Sequence, residues 1–375
     1  MKSDVAHALL NKLTGDFLKE DFPATSKYFQ AMAKYKYDGY KQFSPGMRFI
    51  ERLALWLKQF NIQDREIALQ FVKEKLVYVS GPELDLLIAS CFPDTIRPIL
   101  VKKISKTENI DEYKINEILT SQTYRAILRK SLFCGLSDGS RTEIFRRSNP
   151  GVISHEQVYQ TYELSDKRAK KMQEKLAEDL VKILGKPPTI EEQKFTHLFL
   201  LDDFSASGTS YLKWSSSEDR LKGKINAVYE SIFQKEEMKK IFDVDNLDVH
   251  IILYLCTDQA YNLITENFEK LVKKYDLKSP PQLHVLHRIP DEYKLQEPDA
   301  ANILSICDKD DYYDKEELED EHTAGSVKRG FSDCSLPLVL YHNCPNNSVS
   351  ILWAYELENI KFEGLFPRIP RHKQM

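Results

Sequence analysis

The stretch THLFLLDD, residues 196–203, constrains this chain more than any other. So dense a short apolar run fits a strand covered on both faces, and such strands belong to parallel sheets with helices packed on either side. A strand of that kind tolerates no charge along its length, so two adjacent carboxylates mark the point where it leaves the core. Other runs share the texture: SLFCGL (131–136), NLDVHIILYLCTD (246–258), PQLHVLHRI (281–289) and LPLVLYHN (336–343). Helical stretches separate them. SDKRAKKMQEKLAEDLVKILGKPP is opened by Ser165 or Asp166 and stopped by Gly185 and Pro187; TDQAYNLITENFEKLVKKYDL starts at Thr257 or Asp258. This alternation predicts a doubly wound α/β sheet, in which ligands sit beyond the carboxyl ends of the strands.

The chain ahead of that sheet reads differently. Over residues 45–92 apolar side chains recur at three- and four-residue steps, as in Phe49, Leu53, Trp56, Leu57 and Phe60, then Ile67, Phe71 and Leu76. Three helices are predicted, with Asp64 placed to cap the second and Ser80 with Glu83 forming a capping box at the third. The division expected is a helical interaction domain over residues 1–115, compatible with a winged-helix plan, followed by an α/β domain over residues 116–375. A net charge of −4 and the lack of a Lys/Arg stripe favour a protein partner over nucleic acid for the helical part.

Several classes are disfavoured. The opening MKSDVAHALLNKLTGDFLKED is an amphipathic helix broken by charges, unlike a signal peptide. No apolar run approaches the ~20 residues of a membrane span. Six cysteines without a CxxC pair indicate neither zinc nor a disulfide framework and suit a reducing cytoplasm. His284 and His287 fall on opposite faces of one strand, which makes them poor partners for a shared metal. The acidic segment 308–322 lacks the spacing of a calcium loop and reads as a solvated insertion.

The segment DDFSASGTS, residues 202–210, carries the chemistry. Small residues after a buried strand let backbone amides converge on an anion, with Gly208 allowing the tight turn and Ser205, Ser207, Thr209 and Ser210 adding hydroxyls. The carboxylates of Asp202 and Asp203 would repel that anion. They suit sugar hydroxyls, directly or around a magnesium ion, so the pair of features describes a phosphorylated sugar.

This stretch resembles the phosphoribosyl pyrophosphate signature of the type I phosphoribosyltransferases: apolar strand, two acids, a short turn, then small residue, hydroxyl residue, glycine, any residue and hydroxyl residue. The resemblance implies a Rossmann-like parallel sheet, with Asp202 and Asp203 on the ribose hydroxyls and magnesium, and Ala206 to Ser210 around the 5′-phosphate. Ser205 departs from the pattern, standing where an apolar residue is usual. The resemblance also implies an earlier pyrophosphate loop. LFCGLSDGSR (132–141) offers Ser137, Asp138, Gly139, Ser140 and Arg141, although Asp-Gly between apolar stretches is equally a hairpin signal. Arg146 and Arg147 follow, placed either to reach the leaving pyrophosphate or to stand as a solvated pair. Near the C-terminus His342, Asn343, Asn346 and Asn347 could read a base edge, with Trp353 stacking on it.

Taken together, the three clusters resemble, over residues 45–372, a bacterial phosphoribosyltransferase-like family with a helical or winged-helix N-terminal region, associated with anti-phage conflict systems. That resemblance implies an effector that binds phosphoribosyl pyrophosphate or a nucleotide with magnesium, acts at the ribose C1′, and meets a protein partner or a second copy of itself. The alternative is a non-catalytic sensor of the same ligands with a DNA- or partner-binding N-terminal region.

Overall fold

The apolar runs become strands that pair with one another in parallel. A computed structural model describes residues 3–159, 166–319, 323 and 325–369. Its strands are β1 (Val77–Val79), β2 (Ser131–Gly135), β3 (Val158–Tyr159), β4 (His197–Ser205), β5 (Lys213–Ser215), β6 (Arg220–Lys222), β7 (Asp248–Thr257), β8 (Gln282–Ile289) and β9 (Leu338–Leu340). Five of them form one parallel sheet in the order β3-β2-β4-β7-β8. After β2 the chain moves outward to β3, then returns to the other side of β2 for β4, β7 and β8. The order therefore reverses between β2 and β4, the point beyond whose carboxyl ends doubly wound sheets place their ligand crevice.

The chain divides into two compact units. One comprises residues up to Leu84 together with those from Pro290 onward; the other runs from Asp85 to Ile289 and holds the parallel sheet. Compactness thus cuts the chain elsewhere than a single boundary near residue 115, because the C-terminal segment belongs with the N-terminal helices.

In the sheet unit, Leu198 and Leu200 of β4 join Ile251 and Leu253 of β7 in a core closed by Met172, Leu176, Ile225, Val228, Ile264 and Leu271 from the helices Asp166–Leu184, Lys224–Gln234, Asp258–Glu266 and Phe268–Tyr275. The opposite face of β4 carries Phe199, whose ring stacks on Phe133 at 5.3 Å and on His250 at 4.9 Å. Burial on both faces is what the unbroken apolar run demands. The helix Asp166–Leu184 ends at Gly185, whose φ of 70° takes the left-handed turn, as expected; Ser165 lies outside the described residues. Thr257, not Asp258, caps the next helix, accepting from the Ala260 amide at 3.1 Å.

In the other unit the helices Phe49–Gln59 and Arg65–Glu74 stand where the apolar spacing places them; Ser3–Leu18 covers the expected amphipathic opening, and Phe22–Tyr35 is a further helix. The expected strand LPLVLYHN does not extend the sheet. As β9 it pairs in parallel with β1, so these helices have no antiparallel wing among the described residues. The tail is knitted in: the Arg52 guanidinium, 2% exposed, donates to the Gly364 carbonyl and to Glu363, and Phe366 stacks on Phe49. Asp64 makes no cap hydrogen bond and is instead buried against Lys309 and the Tyr312 hydroxyl at 2.6 Å. The acidic segment is structured over its described part, with Tyr312, Tyr313 and Leu318 buried and Asp308 gripped by Arg329; residues 320–322 lie outside the described residues. Glu83 reaches back to the amide and hydroxyl of Ser80, as expected. Among the described residues no helix is long and apolar enough to cross a membrane.

Two histidines, His197 and His250, are buried near the amino ends of β4 and β7, and a half-buried third, His284, lies on the edge strand β8. His197 lies 3.5 Å from Asp248, which also pairs with Lys103, and His250 Nδ1 sits 3.1 Å from His284 Nε2. Burial, with the facing His284, pushes His250 down to about 4; burial and Lys103 push His197 down as well. Both are neutral in the fold and ionise more readily once unfolded. Their stabilisation is therefore complete above the unfolded value of about 6.5 and is lost as pH falls, by about 1.4 kcal/mol per pH unit for each. Denaturation at about pH 7.5, 6 and 5 is expected to show this decline, and His250→Gln to reduce it; equal declines in both proteins would show that His250 burial is not its source.

Candidate functional site

β4 carries Asp202 and Asp203 to the crevice, and the two carboxylates meet opposite fates. Asp202 is 0% exposed and surrounded by donors. Its Oδ1 accepts from the Ser137 hydroxyl and from the Asp203 amide at 3.2 Å; its Oδ2 accepts from the Tyr211 hydroxyl at 2.6 Å and from Lys224 Nζ at 2.7 Å. Burial and the adjacent Asp203 charge push the Asp202 carboxyl up, while Lys224 and Ser137 pull it down. Asp203 is half-buried and lies over Gly139. A β-carbon at residue 139 would fall 2.7 Å from Asp203 Oδ1 and closer still to Oδ2, so a side chain there forces the Asp203 carboxylate to move.

Two loops flank this pair. The first follows β2 as a 3-10 turn, Asp138–Ser140, leading into the helix Thr142–Arg147. It is not a hairpin, because both neighbours of β2 run parallel to it. From below, the Tyr254 hydroxyl of β7 donates to the Ser140 carbonyl at 2.7 Å, and Arg141 adopts a left-handed φ of 48°. The second loop, residues 206–210, turns at Gly208 with φ 76°. A β-carbon there would come within 2.9 Å of the Ala260 carbonyl, so this loop packs onto the start of the helix Asp258–Glu266. The Thr257 hydroxyl holds the Ala206 carbonyl, and Ser207 and Thr209 share a hydroxyl contact of 2.9 Å. Among the described residues the amides of Asp138, Gly139, Ser207, Gly208 and Ser210 are bonded to no other group. Two sets of unpaired amides on either side of a half-buried carboxylate form a place for an anion and a hydroxylated neighbour.

These loops, on adjacent strands of a parallel sheet at its reversal point, have the order and chemistry of a phosphoribosyltransferase. A family model described as PRTase-CE matches residues 53–368. The chain belongs to the PRTase-CE family, which is phosphoribosyltransferase-like. No match was found among curated proteins or among solved structures.

Within this PRTase-CE chain the residues expected to act together divide between the units. Ser137 to Arg141, Arg146, Arg147 and Asp202 to Ser210 share the sheet unit, with Arg146 half-buried and Arg147 exposed on the helix after the first loop. His342, Asn343, Asn346, Asn347 and Trp353 belong to the other unit. Trp353 is a core residue rather than a stacking platform: it is 1% exposed and its indole donates to the Ser348 carbonyl at 2.7 Å. Asn347 donates to the Phe331 carbonyl at 3.1 Å, a structural bond of its turn. The Ser205 hydroxyl is buried and has no partner among the described residues. The oxygens of Asp202 are committed to protein donors, and Asp203 Oδ1 accepts from the Phe204 amide at 2.9 Å. Among the described residues no group of three or more His, Cys, Asp or Glu is arranged to hold a metal.

Tyr211, Lys224 and Tyr254 were not singled out in the sequence, and Thr257 only as a helix start. Gly223-Lys224 held a signal. A lysine in the first turn of a helix opposes the helix dipole, and so asks for a tertiary partner. The contact between Gly139 and Asp203 yields a test. Gly139→Ala should lower stability by about 1–3 kcal/mol, as overpacking does, and that cost should shrink in the background of Asp203→Ala. Additive costs in denaturant unfolding of the four proteins would rule the contact out.

Proposed function

We propose that this PRTase-CE protein binds a phosphorylated ribose, phosphoribosyl pyrophosphate or a nucleotide, and transfers or cleaves at C1′. The observation that carries the reading is the pair of strand-end loops with unpaired amides on either side of Asp203. The loop at 206–210 would take the 5′-phosphate through the amides of Ser207, Gly208 and Ser210 and the hydroxyls of Thr209 and Ser210. The loop at 137–141 would take the pyrophosphate or the departing group through the amides of Asp138 and Gly139, with Arg141, Arg146 and Arg147 supplying positive charge. Asp203 would accept from a ribose hydroxyl.

In transfer, the bond from C1′ to the pyrophosphate oxygen breaks, the electron pair leaves on that oxygen, and the acceptor forms the new bond to C1′. Positive charge develops on the sugar and negative charge on the leaving group, so amides and arginines fixed beforehand at the first loop favour the transition state. A magnesium ion, which keeps most of its waters, would be held chiefly by ligand phosphates and water with Asp203 at its edge, and would screen the leaving charge. Asp202 acts from behind, orienting the loops. A role for the helical unit in binding a protein partner or a second copy, a cytoplasmic setting, and a place in anti-phage conflict extend this proposal and rest on composition and resemblance.

The test is calorimetric titration with phosphoribosyl pyrophosphate and magnesium, with pyrophosphate release followed across a panel of bases. Binding is expected, and Asp203→Asn should weaken it by about 1.5–3 kcal/mol, roughly tenfold to a hundredfold in Kd, without changing the unfolding midpoint greatly. Binding without turnover would favour the sensor reading; absence of binding to the wild-type protein would sink both.

A further inference from the structure

Two buried hydroxyls of β7 hold the loops from beneath. Tyr254, 0% exposed, donates to the Ser140 carbonyl at 2.7 Å, and Thr257, 1% exposed, donates to the Ala206 carbonyl. The two residues stand an odd number of positions apart on an extended strand, so they leave opposite faces of β7. Each loop therefore has a clamp of its own.

The effect of clamping a carbonyl follows from the planar trans peptide, in which the C=O and the next residue's N–H point in opposite directions. Holding the Ala206 carbonyl against β7 turns the Ser207 amide away from that strand, and among the described residues that amide has no protein partner. The Thr257 oxygen also accepts from the Ala260 amide at 3.1 Å, and Gly208 packs on the Ala260 carbonyl, so one hydroxyl keys the loop at 206–210 to the helix Asp258–Glu266. In the first loop the clamped peptide joins Ser140 to Arg141, whose φ of 48° is a left-handed value that a residue with a β-carbon seldom takes. Fixing the Ser140 carbonyl holds this peptide in the orientation the turn needs, and the Ser140 amide closes that turn on the Ser137 carbonyl at 3.1 Å. The unpaired amides of Asp138 and Gly139 stand inside it.

We infer that Tyr254 and Thr257 are positioning residues of this site, each aiming one loop and not the other. Tyr254 sets the amides of Asp138 and Gly139 that would receive the pyrophosphate, and Thr257 sets those of Ser207, Gly208 and Ser210 that would receive the 5′-phosphate. What each loop binds rests on the proposed function; how it is aimed is a property of the ligand-free chain. Both side chains act through the loop backbone, and both clamps can be removed with little change of shape, by Tyr254→Phe and by Thr257→Val.

The full chain is compared as wild type, Tyr254→Phe, Thr257→Val and Thr257→Ser. Without ligand, hydrogen exchange is followed at the amides that close the two turns: Ser140, bonded to Ser137, and Tyr211 and Leu212, both bonded to the Gly208 carbonyl. Tyr254→Phe should speed exchange at Ser140 about tenfold and leave Tyr211 and Leu212 within about twofold; Thr257→Val should do the reverse, and Thr257→Ser, which keeps the hydroxyl, should match wild type. Equal acceleration at both loops, or none at either, would overturn the inference.

Titrations with pyrophosphate and magnesium, and separately with ribose 5-phosphate, should divide in the same way. Tyr254→Phe is expected to raise Kd for pyrophosphate about fivefold to tenfold, and Thr257→Val to raise Kd for ribose 5-phosphate by a similar factor, each leaving the other ligand within about twofold. A general loosening of the fold would weaken both ligands in both variants, and that result would refute separate aiming. Should the wild-type protein bind neither ligand, the proposed function falls, while the exchange pattern still decides whether the clamps hold their loops. Should Thr257→Val not fold, Thr257→Ala takes its place and is judged by the same pattern.

Discussion

A carboxylate shut away from water must be met by donors on nearly every lone pair, since an ionised group left unpaired in the interior costs several kcal/mol. Asp202 has 0% exposure and meets this requirement with four donors from separate stretches of chain: Ser137, the amide of Asp203, Tyr211 and Lys224. The end of β2, the end of β4, the turn after it and the start of the following helix are therefore fastened to a single side chain. What would otherwise be four independent loop conformations becomes one arrangement, which is the form a site needs if its amides are to be fixed before a ligand arrives.

The parallel sheet decides where that arrangement stands. Reversal of the strand order between β2 and β4 leaves the two loops side by side, with β7 supplying support from below through Tyr254 and Thr257. Close approach is possible only because three positions lack a side chain: Gly139 beneath Asp203, Gly208 against Ala260 and Gly223 against Tyr211. The two adjacent acids differ in a way their sequence cannot reveal: Asp202 is buried among four protein donors, and Asp203 is half-buried over Gly139 with its Oδ1 on the Phe204 amide.

The other unit obeys a different constraint. Its N-terminal helices are completed by the chain's own C-terminal segment, with Arg52 bonded to Gly364, Trp56 to the Ile351 carbonyl and Phe366 packed among Tyr37, Tyr40 and Phe49. This closure explains why polar residues that look available in the sequence are occupied. Asp64 serves Lys309 and Tyr312 instead of a helix terminus, and Trp353 is packed instead of presented. The PRTase-CE match, over residues 53–368, spans both units.

Local physics made much of this legible in the sequence. Dense apolar runs become buried strands, helical spacing over residues 45–92 becomes helices, Gly185 ends one helix and Thr257 or Asp258 begins another, and two acids stand near the end of β4, which continues past them to Ser205 instead of leaving the core there. Each of these depends on neighbours a few residues away, so the sequence carries it directly. The tertiary structure alone decided that SDGSR is a loop between parallel strands and not a hairpin, that LVL pairs with β1 outside the main sheet, and that Lys224, 22 residues beyond Asp202, is its counter-charge. Those outcomes turn on which distant groups arrive at a buried charge or an open strand edge, and the requirement to satisfy both is met only when the whole chain has folded.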